Sequence, residues 1–170
     1  MKPTQAMRAL GQSLWLDNIT RDLLDQGTLK RYIDDYSITG LTSNPTIFDN
    51  AIKETGAYDA DIATLAARGL AGEALFNELA LDDLTRAADL LRPAYEASGG
   101  VDGYVSLEVS PLLAADSAAT VKAALDLHAR AMRPNLFIKI PGTTAGRTAI
   151  EETIFAGVPV NVTLLFSREQ

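Results

Sequence analysis

Lys139 is the residue in this sequence with the most chemical leverage. It stands in Leu136-Phe137-Ile138-Lys139-Ile140, an apolar, β-rich run in which a charged side chain is out of place. Burial in such a strand penalises the ammonium and lowers the pKa of the amine. With a free pKa near 10.4, about one amine in a thousand is neutral at pH 7.4, and a fall of about three units would make roughly half of it a nucleophile. The plainer alternative is a strand-end lysine whose stem is buried and whose head reaches water. Two acids occupy comparable places: Asp17 ends Leu14-Trp15-Leu16-Asp17, and Glu108 lies in Val105-Ser106-Leu107-Glu108-Val109. One of them could move protons to and from a carbinolamine oxygen while the other deprotonates a substrate hydroxyl. Either could instead form a simple ion pair with Lys139. Thr163 could hold a water between Glu108 and a forming imine, or be no more than a β-branched residue that suits a strand. Asn44 and Asn161 offer amides to sugar hydroxyls, with Thr42 close to Asn44. Asn44-Pro45 is equally a helix N-cap followed by proline at the first helical position.

These groups need a scaffold that brings distant segments together. The pattern predicts strands at 13–17, 38–42, 104–109, 136–140 and 160–165. A helical stretch ends near Asp35, and the segment from Pro45 to Pro93 is mostly helical, with a long run from about Ala71 to Arg92. Further helices run from Asp116 or Ser117 to about Met132 and from Thr143 or Thr144 to about Ala156. Strands alternating with helices imply a parallel sheet with right-handed crossovers. The side-chain alternation chooses between an open sheet and a barrel. Leu14 and Leu16, Val105, Leu107 and Val109, Leu136, Ile138 and Ile140, and Val160, Val162 and Leu164 mark one aliphatic face. Trp15 and Asp17, Ser106 and Glu108, Phe137 and Lys139, and Asn161 and Thr163 mark the other. An open sheet covered by helices on both sides would be aliphatic on both faces. One aliphatic and one partly polar face predict a (β/α)₈ barrel, with the candidate groups at the C-terminal ends of its strands.

Composition narrows the chemistry. The 170 residues are 47% hydrophobic and carry a net charge of −7, which suits one domain over 1–170 and argues against nucleic-acid or anionic-membrane partners. Cysteine is absent and His128 is the only histidine, so a thiolate nucleophile or a His- or Cys-rich metal site is excluded. His128 falls on the helical stripe Val121, Leu125, His128, Met132 and reads as a packed helix residue. No apolar stretch approaches the roughly 18 residues that span a bilayer, and the N-terminus has no signal-peptide pattern, so a cytoplasmic location is expected.

Five segments carry a resemblance. LWLDNITRDLL (14–24), TGLTSNPTIF (39–48), VSLEVSP (105–111), NLFIKIPGT (135–143) and VPVNVTLLFS (158–167) resemble transaldolase, in the family's order and over nearly the whole chain. The Pro-Gly-Thr after Lys139 resembles the longer bacterial subgroup, which includes fusions to glucose-6-phosphate isomerase. The resemblance implies a class I aldolase-type barrel with Lys139 as the Schiff-base lysine. Glu108 would act through a water held by Thr163, and Asp17 would be the base for carbon–carbon cleavage. Asn44, Asn161 and Thr42 would lie around the retained dihydroxyacetone unit. The implied reaction moves that unit from sedoheptulose 7-phosphate to glyceraldehyde 3-phosphate, giving erythrose 4-phosphate and fructose 6-phosphate in the pentose phosphate pathway. It implies no metal or organic cofactor, and a sugar phosphate as partner.

An eight-stranded barrel typically needs about 250 residues. With five strands the expectation is a barrel truncated to its first five β/α units, without the later serine and arginines that the resemblance assigns to the phosphate. Three functions follow. The intact protein is a transaldolase; or it is a fructose-6-phosphate aldolase-like lyase; or the 170-residue chain is a non-catalytic half-barrel, inactive alone, that associates with itself or its complement through unpaired sheet edges.

Overall fold

The computed structural model describes residues 2–170. Its strands are β1 (Leu14–Asp17), β2 (Ile38–Thr42), β3 (Tyr104–Glu108), β4 (Leu136–Pro141) and β5 (Val160–Thr163). They pair in chain order, and every pair is parallel. Helix α1 (Pro3–Ala9) precedes β1. Helices α2 (Arg21–Asp25) and α3 (Thr28–Tyr36) join β1 to β2, while α4 (Pro45–Glu54), α5 (Asp59–Ala67) and α6 (Gly72–Ala97) join β2 to β3. Helices α7 (Ser117–Ala131) and α8 (Thr144–Phe155) complete the remaining crossovers. No helix among the described residues is long and apolar enough to cross a membrane.

The sheet is curled. From β1 to β4 is three inter-strand steps, or roughly 14 Å along a flat sheet. Yet Trp15 of β1 stacks on Phe137 of β4 with ring centroids 6.3 Å apart, and Phe137 stacks on Tyr104 of β3 at 4.0 Å. These rings lie on the concave face. The convex face carries Leu41, Val105, Leu107, Leu136, Ile138 and Ile140, all buried in one core with Leu84, Ala87, Ala88 and Leu91 of α6 and Ala124, Leu127 and Ala131 of α7. The architecture is therefore four β/α units and a fifth strand of a (β/α)₈ barrel of the aldolase type, three strands short of closure.

Local chemistry explains the boundaries that differ from the sequence reading. Helix α1 was not expected, because it buries nothing; Pro3 at its first position and a hydrogen bond from Lys2 N to Gln5 Oε1 at 2.8 Å start it. The single helical stretch expected before β2 is broken at Gly27, whose left-handed φ of 70° starts α3 anew. Helix α6 runs past Pro93 to Ala97, held there by Tyr95 packed edge-on against Tyr104 at 5.3 Å. Strand β5 ends at Thr163, not near 165, because Leu164 turns into the left-handed region at φ 63°. On α7 the stripe read from sequence is not the buried one. Leu125 and Met132 are 36% and 77% exposed, and the helix buries Thr120, Ala124, Leu127 and Ala131 instead. His128 is half-buried on that helix, and burial lowers its pKa.

One glycine sets the concave floor. A Cβ on Gly40 would lie 2.3 Å from the Trp15 indole, so the ring can cross β2 only where no side chain stands. Gly40→Ala should displace Trp15 and cost about 1–3 kcal/mol, read as a lower chemical-denaturation midpoint with a shifted Trp15 emission. An unchanged midpoint and spectrum would show that the indole is not held there.

Candidate active site

Lys139 projects from β4 onto the concave face. Glu108 of β3 is its register partner, and the side chains are 12% and 15% exposed. Lys139 Nζ lies 3.1 Å from Glu108 Oε2 and donates to the backbone carbonyl of Ser43 at 3.2 Å. In the resting site the lysine thus sits in a charge-assisted pair, the simpler of the two relations read from sequence for these residues. A carboxylate at this distance can also take a proton from the amine and return it.

Asp17 ends β1 in register with Thr42 and is exposed. Trp15 and Phe137, each two residues earlier in their strands, touch across the interior. Side chains two residues apart share a face, so Asp17 and Lys139 both rise from this aromatic floor toward the C-terminal mouth. Thr42 Oγ1 is buried with no hydrogen-bond partner. Asn161 of β5 is the register partner of Lys139, and its Nδ2 donates to Ser106 Oγ at 3.0 Å. That bond leaves the amide oxygen of Asn161 available to a ligand. Thr163, one inward position further along β5, is half-buried; its backbone carbonyl accepts from Gly142 N at 2.8 Å. Asn44 Oδ1 accepts from Ile47 N at 3.0 Å and so caps α4, with Pro45 at the first helical position. Only its amide nitrogen remains for a ligand.

The structure brings Lys139 and Glu108 into contact and puts Asn161 beside them. Among the described residues Asp17, Thr42, Thr163 and the Asn44 side chain make no hydrogen bond or ion pair with either. The sequence reading missed two contributors. Ser43 supplies the carbonyl that holds Lys139, and its Oγ donates to Ser106 O at 3.1 Å. Ser106 orients Asn161. Ser106 could have been found from its place one inward step before Glu108; a backbone acceptor such as Ser43 leaves no side-chain signal.

Charged groups elsewhere do not make a rival site. A cleft of about 280 Å³ is lined by Arg21, Asp61 and Asp82 on the helical side of the sheet. Its guanidinium is consumed by Asp83 Oδ1 at 3.1 Å, by Asp82 at 3.2 Å and by Asp61. No cluster of three or more His, Cys, Asp or Glu side chains suited to a metal ion occurs among the described residues.

The family described as Transaldolase/Fructose-6-phosphate aldolase matches residues 14–170. Curated relatives include "Transaldolase 2" of Nostoc sp., 46% identical over 161 residues, covering 95% of this chain and 42% of the relative. "Transaldolase" of Mycobacterium bovis and "Transaldolase" of Mycobacterium tuberculosis are each 48% identical over 162 residues, covering 95% of this chain and 43% of theirs. The chain thus spans less than half the length of these relatives.

Proposed function

The chain belongs to the transaldolase/fructose-6-phosphate aldolase family, and on that premise we propose that it carries the Schiff-base half of a transaldolase site. The observation that supports this most is Lys139 Nζ at 3.1 Å from Glu108 Oε2 on the concave face. Glu108 accepts a proton from Lys139, and the free amine adds to a ketose carbonyl. The same carboxyl, through a water at Thr163, protonates the carbinolamine hydroxyl, which leaves as water and yields the imine. Asp17 takes the proton of the neighbouring substrate hydroxyl as the carbon–carbon bond breaks and the aldehyde departs. The retained three-carbon enamine is held by Asn44, Asn161 and Thr42 until an acceptor aldehyde takes it. The protonated imine is the electron sink, so this chemistry calls for no cofactor. The whole reaction would run in the cytoplasm, from sedoheptulose 7-phosphate and glyceraldehyde 3-phosphate to erythrose 4-phosphate and fructose 6-phosphate. A fructose-6-phosphate aldolase would share every step up to cleavage and differ only in releasing dihydroxyacetone to water.

Imine capture requires only the lysine and a ketone, so it can be read on this chain. Treated with dihydroxyacetone and borohydride, the protein should carry the reduced adduct on Lys139 in preference to its other lysines, Lys2, Lys30, Lys53 and Lys122. Peptide mapping decides it. Adduct spread evenly over these lysines would defeat the proposal.

A second reading has its own support. Ile154 and Phe155 on α8 and Leu164, Leu165 and Phe166 after β5 are 48–93% exposed beside an unpaired strand edge. Such an edge offers backbone donors and acceptors to another chain. In this reading the half-barrel associates with itself or with complementary β/α units, and catalysis belongs to the assembly. Size-exclusion chromatography with light scattering should give a concentration-dependent mass; a monomer at every concentration removes self-association.

A further inference from the structure

Ser43 occupies an unusual junction. It directly follows β2, is 1% exposed, and uses both of its polar oxygens. Its Oγ donates to the Ser106 carbonyl at 3.1 Å, tying the end of β2 to the middle of β3. Its own carbonyl accepts from Lys139 Nζ at 3.2 Å, across the intervening strand. Immediately after it Asn44 starts α4, so the chain at residue 43 is held from both sides.

That placement matters for the amine more than for the ammonium. An ammonium has three donors and can satisfy many geometries. A neutral amine has two N–H donors and one lone pair. The lone pair appears where the proton left, on the Glu108 side of the nitrogen, while the Ser43 carbonyl keeps one of the two remaining donors and so restricts rotation about the Cε–Nζ bond. Resting on the Schiff-base function proposed above, we infer that the Ser43 carbonyl aims the Lys139 lone pair into the concave face. Ser43 is thus a positioning residue, and its Oγ bond to Ser106 keeps that carbonyl in place. Glu108 alone does not fix the direction, because it must let go of its hydrogen bond to exchange protons. The carbonyl takes part in no proton transfer and stays engaged throughout.

The test compares the wild-type chain with Ser43→Ala, Ser43→Cys and Ser43→Thr, all treated with dihydroxyacetone and borohydride. Ser43→Ala should slow capture at Lys139 by about tenfold, the size of one lost hydrogen bond. Its capture at the four surface lysines should not change. Ser43→Thr, which keeps the donor, should restore the rate, and Ser43→Cys, a weak donor of nearly the same shape, should fall between. Equal rates across the series, or a threonine variant as slow as the alanine one, would overturn the role. A crystal structure of the alanine variant gives an answer that does not depend on capture. Lys139 Nζ should have left hydrogen-bond range of the residue 43 carbonyl, and an unmoved contact would refute the inference. If wild-type capture shows no preference for Lys139, the Schiff-base reading fails while this structural comparison still decides whether the Oγ bond holds the carbonyl.

Discussion

A Lys139→Met protein is expected to form no borohydride-stable adduct at its active face, and a Glu108→Gln protein to form one about 10²–10⁴-fold more slowly, the usual range for a lost general acid–base group. The difference follows from the geometry. Methionine removes the nucleophile outright. Glutamine keeps the size and the contact at 3.1 Å, but an amide cannot take a proton from Nζ and return it to a departing hydroxyl. The slow step in the glutamine variant should therefore be imine formation, not ketone binding. Raising dihydroxyacetone should not rescue it. Both variants also disturb a pair buried to 12% and 15% exposure. Lys139→Met leaves the Glu108 carboxylate without its cation, whereas Glu108→Gln leaves Lys139 with the Ser43 carbonyl. The methionine variant should therefore be the less stable of the two. Capture by Glu108→Gln at the wild-type rate would remove Glu108 from the chemistry and reduce it to a strut.

How much of this could be read from residues alone depends on what kind of signal each feature leaves. The two faces of the sheet were legible, because Leu136, Ile138 and Ile140 alternate with Phe137 and Lys139, and the strands that repeat this pattern pair in chain order. Which acid meets Lys139 was not. Asp17 and Glu108 are equivalent in sequence, each late in a strand on the inward face. The distinction is a matter of register and strand order: Glu108 is opposite Lys139 on the adjacent strand, and Asp17 is on the far wall. Register depends on how long each crossover is and how it packs, and the residues of the strands do not record it.

Small residues hid the rest. The bulky stripe visible in the sequence of α7 runs through Val121, Leu125, His128 and Met132. The buried face is carried by Ala124 and Ala131, with Leu127 and Thr120, since short side chains let the helix lie close to the sheet. Gly146 does the same at the start of α8. A Cβ there would lie 2.0 Å from the Pro141 carbonyl, so the helix N-terminus can sit against the end of β4 only with glycine in that place. Asn44 shows the opposite case, a residue whose Asn-Pro pair announces the helix cap that the structure shows. Its oxygen caps α4 by accepting from Ile47 N.

The largest stability effect should come from a group outside the site. Asp83 on α6 is 0% exposed and accepts from Tyr58 Oη at 2.7 Å and from Arg21 Nε at 3.1 Å. Burial, reinforced by the bond to Asp83, holds the Tyr58 phenol protonated well above its usual range, so it stays a donor. The Arg21 guanidinium lies over the Tyr58 ring at 4.6 Å, and Arg21 N donates to Tyr58 Oη at 3.1 Å. Through these contacts one carboxylate joins α2, the turn at Gly56–Tyr58 and α6. Asp83→Ala should cost about 3–5 kcal/mol, because it removes the buried partner of Arg21 and leaves the buried Tyr58 phenol without an acceptor. Asp61 and Asp82 still reach Arg21, which places the expectation toward the lower end. Tyr58→Phe, losing one neutral donor but keeping the ring, should cost about 0.5–1.5 kcal/mol. Urea denaturation of the three proteins gives both numbers. Since Asp83 touches neither Lys139 nor Glu108, the folded Asp83→Ala protein should still capture dihydroxyacetone on Lys139 in preference to the other lysines. A loss below 1 kcal/mol would mean that the cluster behaves like a surface ion pair. Loss of that preference in folded protein would mean that it is coupled to the site across the sheet.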